Sequence, residues 1–184
     1  MRKFTTWICA FVVALIGFAM YLGLATKKEL PGKYEQVGFG EKSFTVAYPN
    51  PELTPGDVLP GVGKEQVCAP GYSKSYRKEL KKSEKKEIYK AYNVEYDTTK
   101  YQIDHFIPIS IGGSHDPKNL WPQPIIDNIG FIEKQQVAQY LHEAVCRGDM
   151  EISMAQEIIR LDWHKVFNEI QEKKASKKKS KGKK

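Results

Sequence analysis

The stretch IDHFIPISIGGSHDPKNLWPQPIIDN, residues 103–128, is where ordinary packing stops explaining the choice of side chains. It sets an acid beside a histidine (Asp104, His105), a proline three residues on, a glycine pair at 112 and 113, and then Asn119 and Asn128. An imidazole near its usual pKa accepts a proton at physiological pH and so serves as a general base. Carboxylate and amide oxygens are hard donors that favour Mg²⁺ or Mn²⁺ over soft-site metals. A lone Asp-His pair is most often structural. The combination with two spaced asparagines and a Gly-Gly turn singles this stretch out.

The elements that must position these residues follow from local pattern. Residues 100–109 (KYQIDHFIPI) are β-branched and aromatic and predict a short strand running into a loop. GGSHDP follows as a turn, Asn119 to Trp121 predict a short returning strand, and Pro122 and Pro124 are expected to break the chain. A helix is predicted from about Asp127 to Val145, with Ile129, Ile132, Val137, Tyr140, Leu141 and Ala144 inward and Gly148 at its C-terminal end. Ser153 opens a last helix with Ile158, Ile159, Trp163, Val166 and Phe167 on its apolar side. Upstream, residues 75–92 (SYRKELKKSEKKEIYKAY) predict one further helix. Its lysines and arginine are either a solvated face or a phosphate-tracking one.

At this point the chain resembles a known family, the HNH or ββα-metal nucleases, whose pattern is D-H-x-x-P, then G-G-S, then N-L, with a final His or Asn. Asn119 follows His105 by fourteen residues and Asn128 follows Asn119 by nine, which is the family's spacing. A wider stretch looks like a subgroup of exported bacterial proteins, carried here by Val67 to Arg77, Tyr140 to Cys146, and Asp162 with Trp163. The resemblance spans roughly residues 54–167. It implies an α+β fold with a small ββα-metal core and flanking helices, and an endonuclease that hydrolyses the phosphodiester bonds of nucleic acid, DNA before RNA, with low sequence specificity.

In that reading His105 activates water, Asp104 and Asn128 hold one divalent cation, Mg²⁺ or Mn²⁺, and Asn119 braces the loop and orients the histidine. Lys74, Arg77, Lys78, Lys81, Lys82 and Lys85 are the candidate nucleic-acid contacts. One requirement accompanies it: adjacent strand residues face opposite ways, so Asp104 and His105 reach one phosphate only if the backbone bends between them. His115, His142 and His164 lack partners at ligand spacing and read as capping or packing residues. No CxxC pair accompanies the motif, so a structural zinc is not expected. The competing reading is a non-catalytic protein of the same scaffold that binds DNA or other polyanions through its basic helix and tail.

The remaining organisation bears on where the protein works. Residues 4–26 carry no charge, follow Arg2 and Lys3, and are long enough to cross a bilayer, so residues 1–26 read as a signal peptide or a membrane anchor. The protein is expected outside the cytoplasm, either attached to the membrane by that segment or released. Residues 27–63 are rich in Gly and Pro, with one strand-like run from Ser43 to Tyr48, and read as a linker. Residues 64–172 make the expected nuclease domain, and 173–184 a disordered lysine-rich tail.

Cys68 and Cys146 lie beyond the apolar segment, which holds Cys9, and in an oxidising compartment they can pair. The formal charge of +7 does not by itself point to nucleic acid. The tail holds eight lysines and residues 1–28 four more basic side chains; without those twelve, 17 basic residues face 22 acidic ones, a net charge of −5. Only local clusters can support phosphate binding.

Overall fold

The computed structural model describes residues 33–39, 42–125 and 129–181. The apolar N-terminal segment, Asn128 and the last three residues lie outside them. The described chain is α+β, with two two-stranded antiparallel sheets and six helices. The strands are β1 (Lys33–Phe39), β2 (Lys42–Tyr48), β3 (Tyr101–His105) and β4 (Leu120–Pro124). The helices are α1 (Lys64–Val67), α2 (Tyr72–Tyr76), α3 (Lys82–Ala91), α4 (Phe131–Arg147), α5 (Ile152–Leu161) and α6 (Trp163–Lys181). Among the described residues no helix is long and apolar enough to cross a membrane.

The strand, loop, strand, helix succession expected around the motif is present as β3, the 106–119 loop, β4 and α4. β4 is longer than expected, because both prolines sit inside it rather than ending it. The register explains this. Phe106 N donates to Asn119 O and Ile125 N to Lys100 O, so the hydrogen-bonded pairs fall on alternate residues, and Pro122 and Pro124 oppose Ile103 and Tyr101 at the positions between. A residue there needs no N–H for the ladder.

The same register keeps β3 continuous through the motif, with Asp104 opposite Trp121 and His105 opposite Leu120. The bend required between Asp104 and His105 is therefore absent. Asp104 shares a face with Trp121 and Gln123 beneath α4, and His105 is on the other face.

Helix α4 ends as expected, with Gly148 left-handed at φ +85 and its amide on the Ala144 and Val145 carbonyls. Its inner face differs from expectation at one turn. Ile132 is 68% exposed, and Lys134 is buried in its stead among Val137, Ala138, Leu141, Ala144 and Val145. The helix expected over residues 75–92 is two helices separated by an extended segment. The last helix is also split, with a break at Asp162 between α5 and α6. The part of the tail that is described continues α6 as helix to Lys181, where disorder was expected.

Residues 46–62 are part of the folded unit, although their Gly and Pro content reads as a tether. Val46, Ala47, Tyr48 and Thr54 are buried, and Val46 bridges to Ile129. Thr54 Oγ1 donates to the Leu120 carbonyl at 3.0 Å and accepts from the Tyr92 hydroxyl at 2.7 Å. Further on, Gly56 N donates to Lys118 O, Leu59 N to Gly112 O, and Ser114 N to Asp57 O. Here Gly and Pro shape a strap that hydrogen-bonds to the motif loop.

Cys68 and Cys146 form a disulfide across 78 residues of sequence, with their Cα atoms 5.5 Å apart. It joins the C-terminal cap of α1 to the last turn of α4.

Candidate functional site

Asn119 has no exposed surface and closes the motif loop on itself. Its Oδ1 accepts from Ile107 N at 2.8 Å, and its Nδ2 donates to the Ile107 and Ser114 carbonyls, each at 2.9 Å. Bracing of the loop is the role that the family resemblance implies for this residue. The glycine pair makes room for it. Gly112 is left-handed at φ +87, and a Cβ on Gly113 would fall 1.8 Å from the Ile107 carbonyl oxygen and 3.0 Å from Asn119 Nδ2.

The loop holds His105 against His115, whose Nδ1 lies 3.0 Å from His105 Nε2 with the rings edge to face. His115 Nε2 faces the Tyr76 carbonyl and the Lys78 amide, the carbonyl being the closer. A proton on His115 Nε2 toward the closer carbonyl, at the expense of the Lys78 N–H contact, makes His115 Nδ1 an acceptor for His105 Nε2–H and leaves His105 Nδ1 as its basic nitrogen. His115 is thus a partner of the central histidine rather than a turn cap. Its role is invisible to spacing, because α2 and the 77–81 segment supply the groups that orient it.

Burial pushes the His105 pKa down to about 3, with His115, Lys134 and Arg77 adding to the shift. Sequence alone predicts its usual value. At physiological pH the imidazole is neutral but, with its pKa held this low, a weak base in the unliganded protein; an anion bound nearby would offset its cationic neighbours and raise its basicity.

Asp104 is 6% exposed and faces nitrogen donors. The Lys134 ammonium, itself 1% exposed, pairs with Oδ2 and also donates to the His105 carbonyl at 2.7 Å. With the Gln123 amide turned so that its nitrogen faces Asp104, it donates to Oδ2 at 2.9 Å while its oxygen accepts from Phe131 N. Gln135 Nε2 approaches Oδ1 at 3.4 Å. Asn128, the expected second oxygen ligand, lies outside the described residues, and these contain no group of three His, Cys, Asp or Glu able to hold a metal. Among the described residues, Asp104, already paired with an ammonium and ringed by N–H donors, does not fit a divalent cation.

A cleft of about 970 Å³ opens over these residues. Asp104 and His105 line it from β3, and Phe131, Gln135, Ala138, Gln139 and His142 line it from one face of α4. Lys74, Arg77, Lys78 and Lys85 form its basic side, with Tyr89, Tyr96 and Tyr101 beside them. Lys81 and Lys82 border a shallower neighbouring hollow instead. His142 contacts the Ser110 carbonyl through Nδ1 at 2.8 Å, and His164 packs away from the cleft, 2.7 Å from the Tyr48 hydroxyl.

Compared with protein-family models, curated proteins and solved structures, the chain matches none. What the site can do therefore rests on its own chemistry. That chemistry is a neutral imidazole with a free nitrogen at the floor of a cleft whose wall is cationic and aromatic. Asp104, His105 and Asn119 were visible from spacing, and all three are brought to one loop and one strand end. Lys134, His115 and Gln123 were not, since each reaches the site only through tertiary packing.

Proposed function

We propose that the chain is an exported endonuclease of the ββα type, which hydrolyses phosphodiester bonds of nucleic acid, DNA in preference to RNA, with low sequence specificity. The observation that carries this reading is the placement of His105, neutral and braced through the Asn119 loop, in the floor of a cleft walled by Lys74, Arg77, Lys78 and Lys85. His105 Nδ1 takes a proton from water as the water oxygen bonds to phosphorus, and the phosphorus–oxygen bond to the leaving strand breaks, its sugar oxygen taking up a proton from solvent water. The Arg77 guanidinium and the neighbouring lysines neutralise the phosphate during that step. Among the described residues no base-reading module accompanies the cleft, and contacts to phosphate dominate in this reading. The Cys68–Cys146 disulfide supports export, because such bonds persist in oxidising compartments.

The test is cleavage of supercoiled plasmid by the purified full-length protein in Mg²⁺, in Mn²⁺ and in chelator. Nicking is expected, with His105→Ala reducing the rate on the order of 10²–10⁴-fold. Plasmid left intact under all three conditions sinks the reading. Salt-sensitive binding without cleavage would favour the polyanion-binding alternative instead.

A further inference from the structure

The misfit between Asp104 and a divalent cation has a cause in the chain itself. Lys134 sits in the first turns of α4, where its position puts the side chain on the buried face and its reach brings Nζ over β3. There it meets two oxygens, one from the Asp104 carboxylate and one from the His105 carbonyl. An ammonium with these two partners supplies a positive charge where a metal bound to Asp104 would lie, and it cannot leave without baring a buried carboxylate.

The other groups around Asp104 complete the arrangement. Gln123 has no exposed surface and, with its amide turned, points N–H at the carboxylate, as does Gln135 from the next position of α4. Mg²⁺ takes six oxygens, with one or two carboxylates directed at the ion; three nitrogens around a carboxylate is the opposite polarity. Lys134 does not line the cleft, whereas Arg77 does and is near enough to act on the His105 charge.

We propose that Lys134 is the resident cation of this site, so that Asp104 binds no divalent ion and the charge on a bound phosphodiester is met by Arg77 at the cleft wall. Asp104 is then a positioning residue. Through Lys134 it ties the end of β3 to α4 and fixes the His105 backbone. The activity part of the proposal rests on the hydrolysis proposed above; the metal-binding part does not.

Two measurements on the full-length protein test it. In the first, Mn²⁺ alone is titrated and its free signal is followed by electron paramagnetic resonance. The wild type is expected to bind no Mn²⁺ tighter than about 1 mM. Lys134→Met, folded by circular dichroism, is expected to gain affinity of about tenfold or more as the Asp104 oxygens are released. Mn²⁺ binding by the wild type that disappears in Asp104→Asn overturns the proposal, whether or not Lys134→Met folds. So does a folded Lys134→Met with no gain.

In the second, plasmid nicking is measured with and without chelator. Equal rates support the proposal. Nicking that needs Mg²⁺ or Mn²⁺ and is lost in Asp104→Asn overturns it while upholding hydrolysis. Absence of nicking under every condition overturns hydrolysis instead, and the Mn²⁺ titration then decides the role of Lys134 by itself.

Discussion

Asn119 concentrates more of the loop's geometry than any other side chain around the motif. Replacing it by Ala leaves the Ile107 N–H and the Ile107 and Ser114 carbonyls without their partners in a site closed to water. An unmade buried hydrogen bond costs about 1–3 kcal/mol, and partial relaxation makes a loss on the order of 3 kcal/mol the expected outcome. A melting temperature lower by roughly 10 °C would register it in a scan of Asn119→Ala against wild type. An unchanged midpoint would mean that the loop is held by its glycine turns alone. This residue was legible in the sequence because its job is local, twelve residues from its partner at Ile107. Lys134 was not legible. A lysine in a helix reads as solvent-facing, and only the depth of Asp104 beneath α4 makes it a buried counter-ion.

Among the elements, the break between α2 and α3 illustrates where propensity loses. Residues 75–92 are good helix formers throughout, yet Arg77 is extended at ψ 113. The Tyr76 carbonyl turns to His115, and Glu84 caps the Lys81 amide at 2.6 Å to start a new helix at Lys82. The motif loop thus competes for the backbone and wins, an outcome that local sequence cannot announce. The interruption also carries Arg77 and Lys78 into the cleft wall rather than around a helix.

Two further elements are fixed differently, by the disulfide from the α1 cap to the end of α4. Closing a loop that spans 78 residues restricts the unfolded chain by roughly 4 to 5 kcal/mol in the entropy model. Cys68→Ser with Cys146→Ser is expected to lower the urea midpoint accordingly. Reductant should lower the midpoint of the wild type and leave that of the double variant unmoved. A reductant effect on the double variant would show that another thiol matters.

At the scale of the whole molecule, charge is distributed so that its total is uninformative and its placement is not. The part between residues 29 and 172 is net acidic, but the cleft side facing His105 gathers Lys74, Arg77, Lys78 and Lys85, opposed there by Glu79. Binding of DNA to such a wall releases counterions, and each phosphate contact contributes about 0.7–0.9 to the slope of log affinity against log salt. The cleft therefore predicts a position-dependent result. In a His105→Ala background that prevents cleavage, Lys78→Gln with Lys85→Gln should reduce the slope by roughly 1.4 to 1.8. Lys81→Gln with Lys82→Gln, which removes the same charge from the neighbouring hollow, should change it by much less. Equal slopes for the two pairs would mean that DNA follows the general basic surface and not the cleft. The lysine-rich end provides the reference: removing residues 173–184 takes away eight lysines without touching the cleft lining, so it should weaken binding and leave the difference between the two pairs intact.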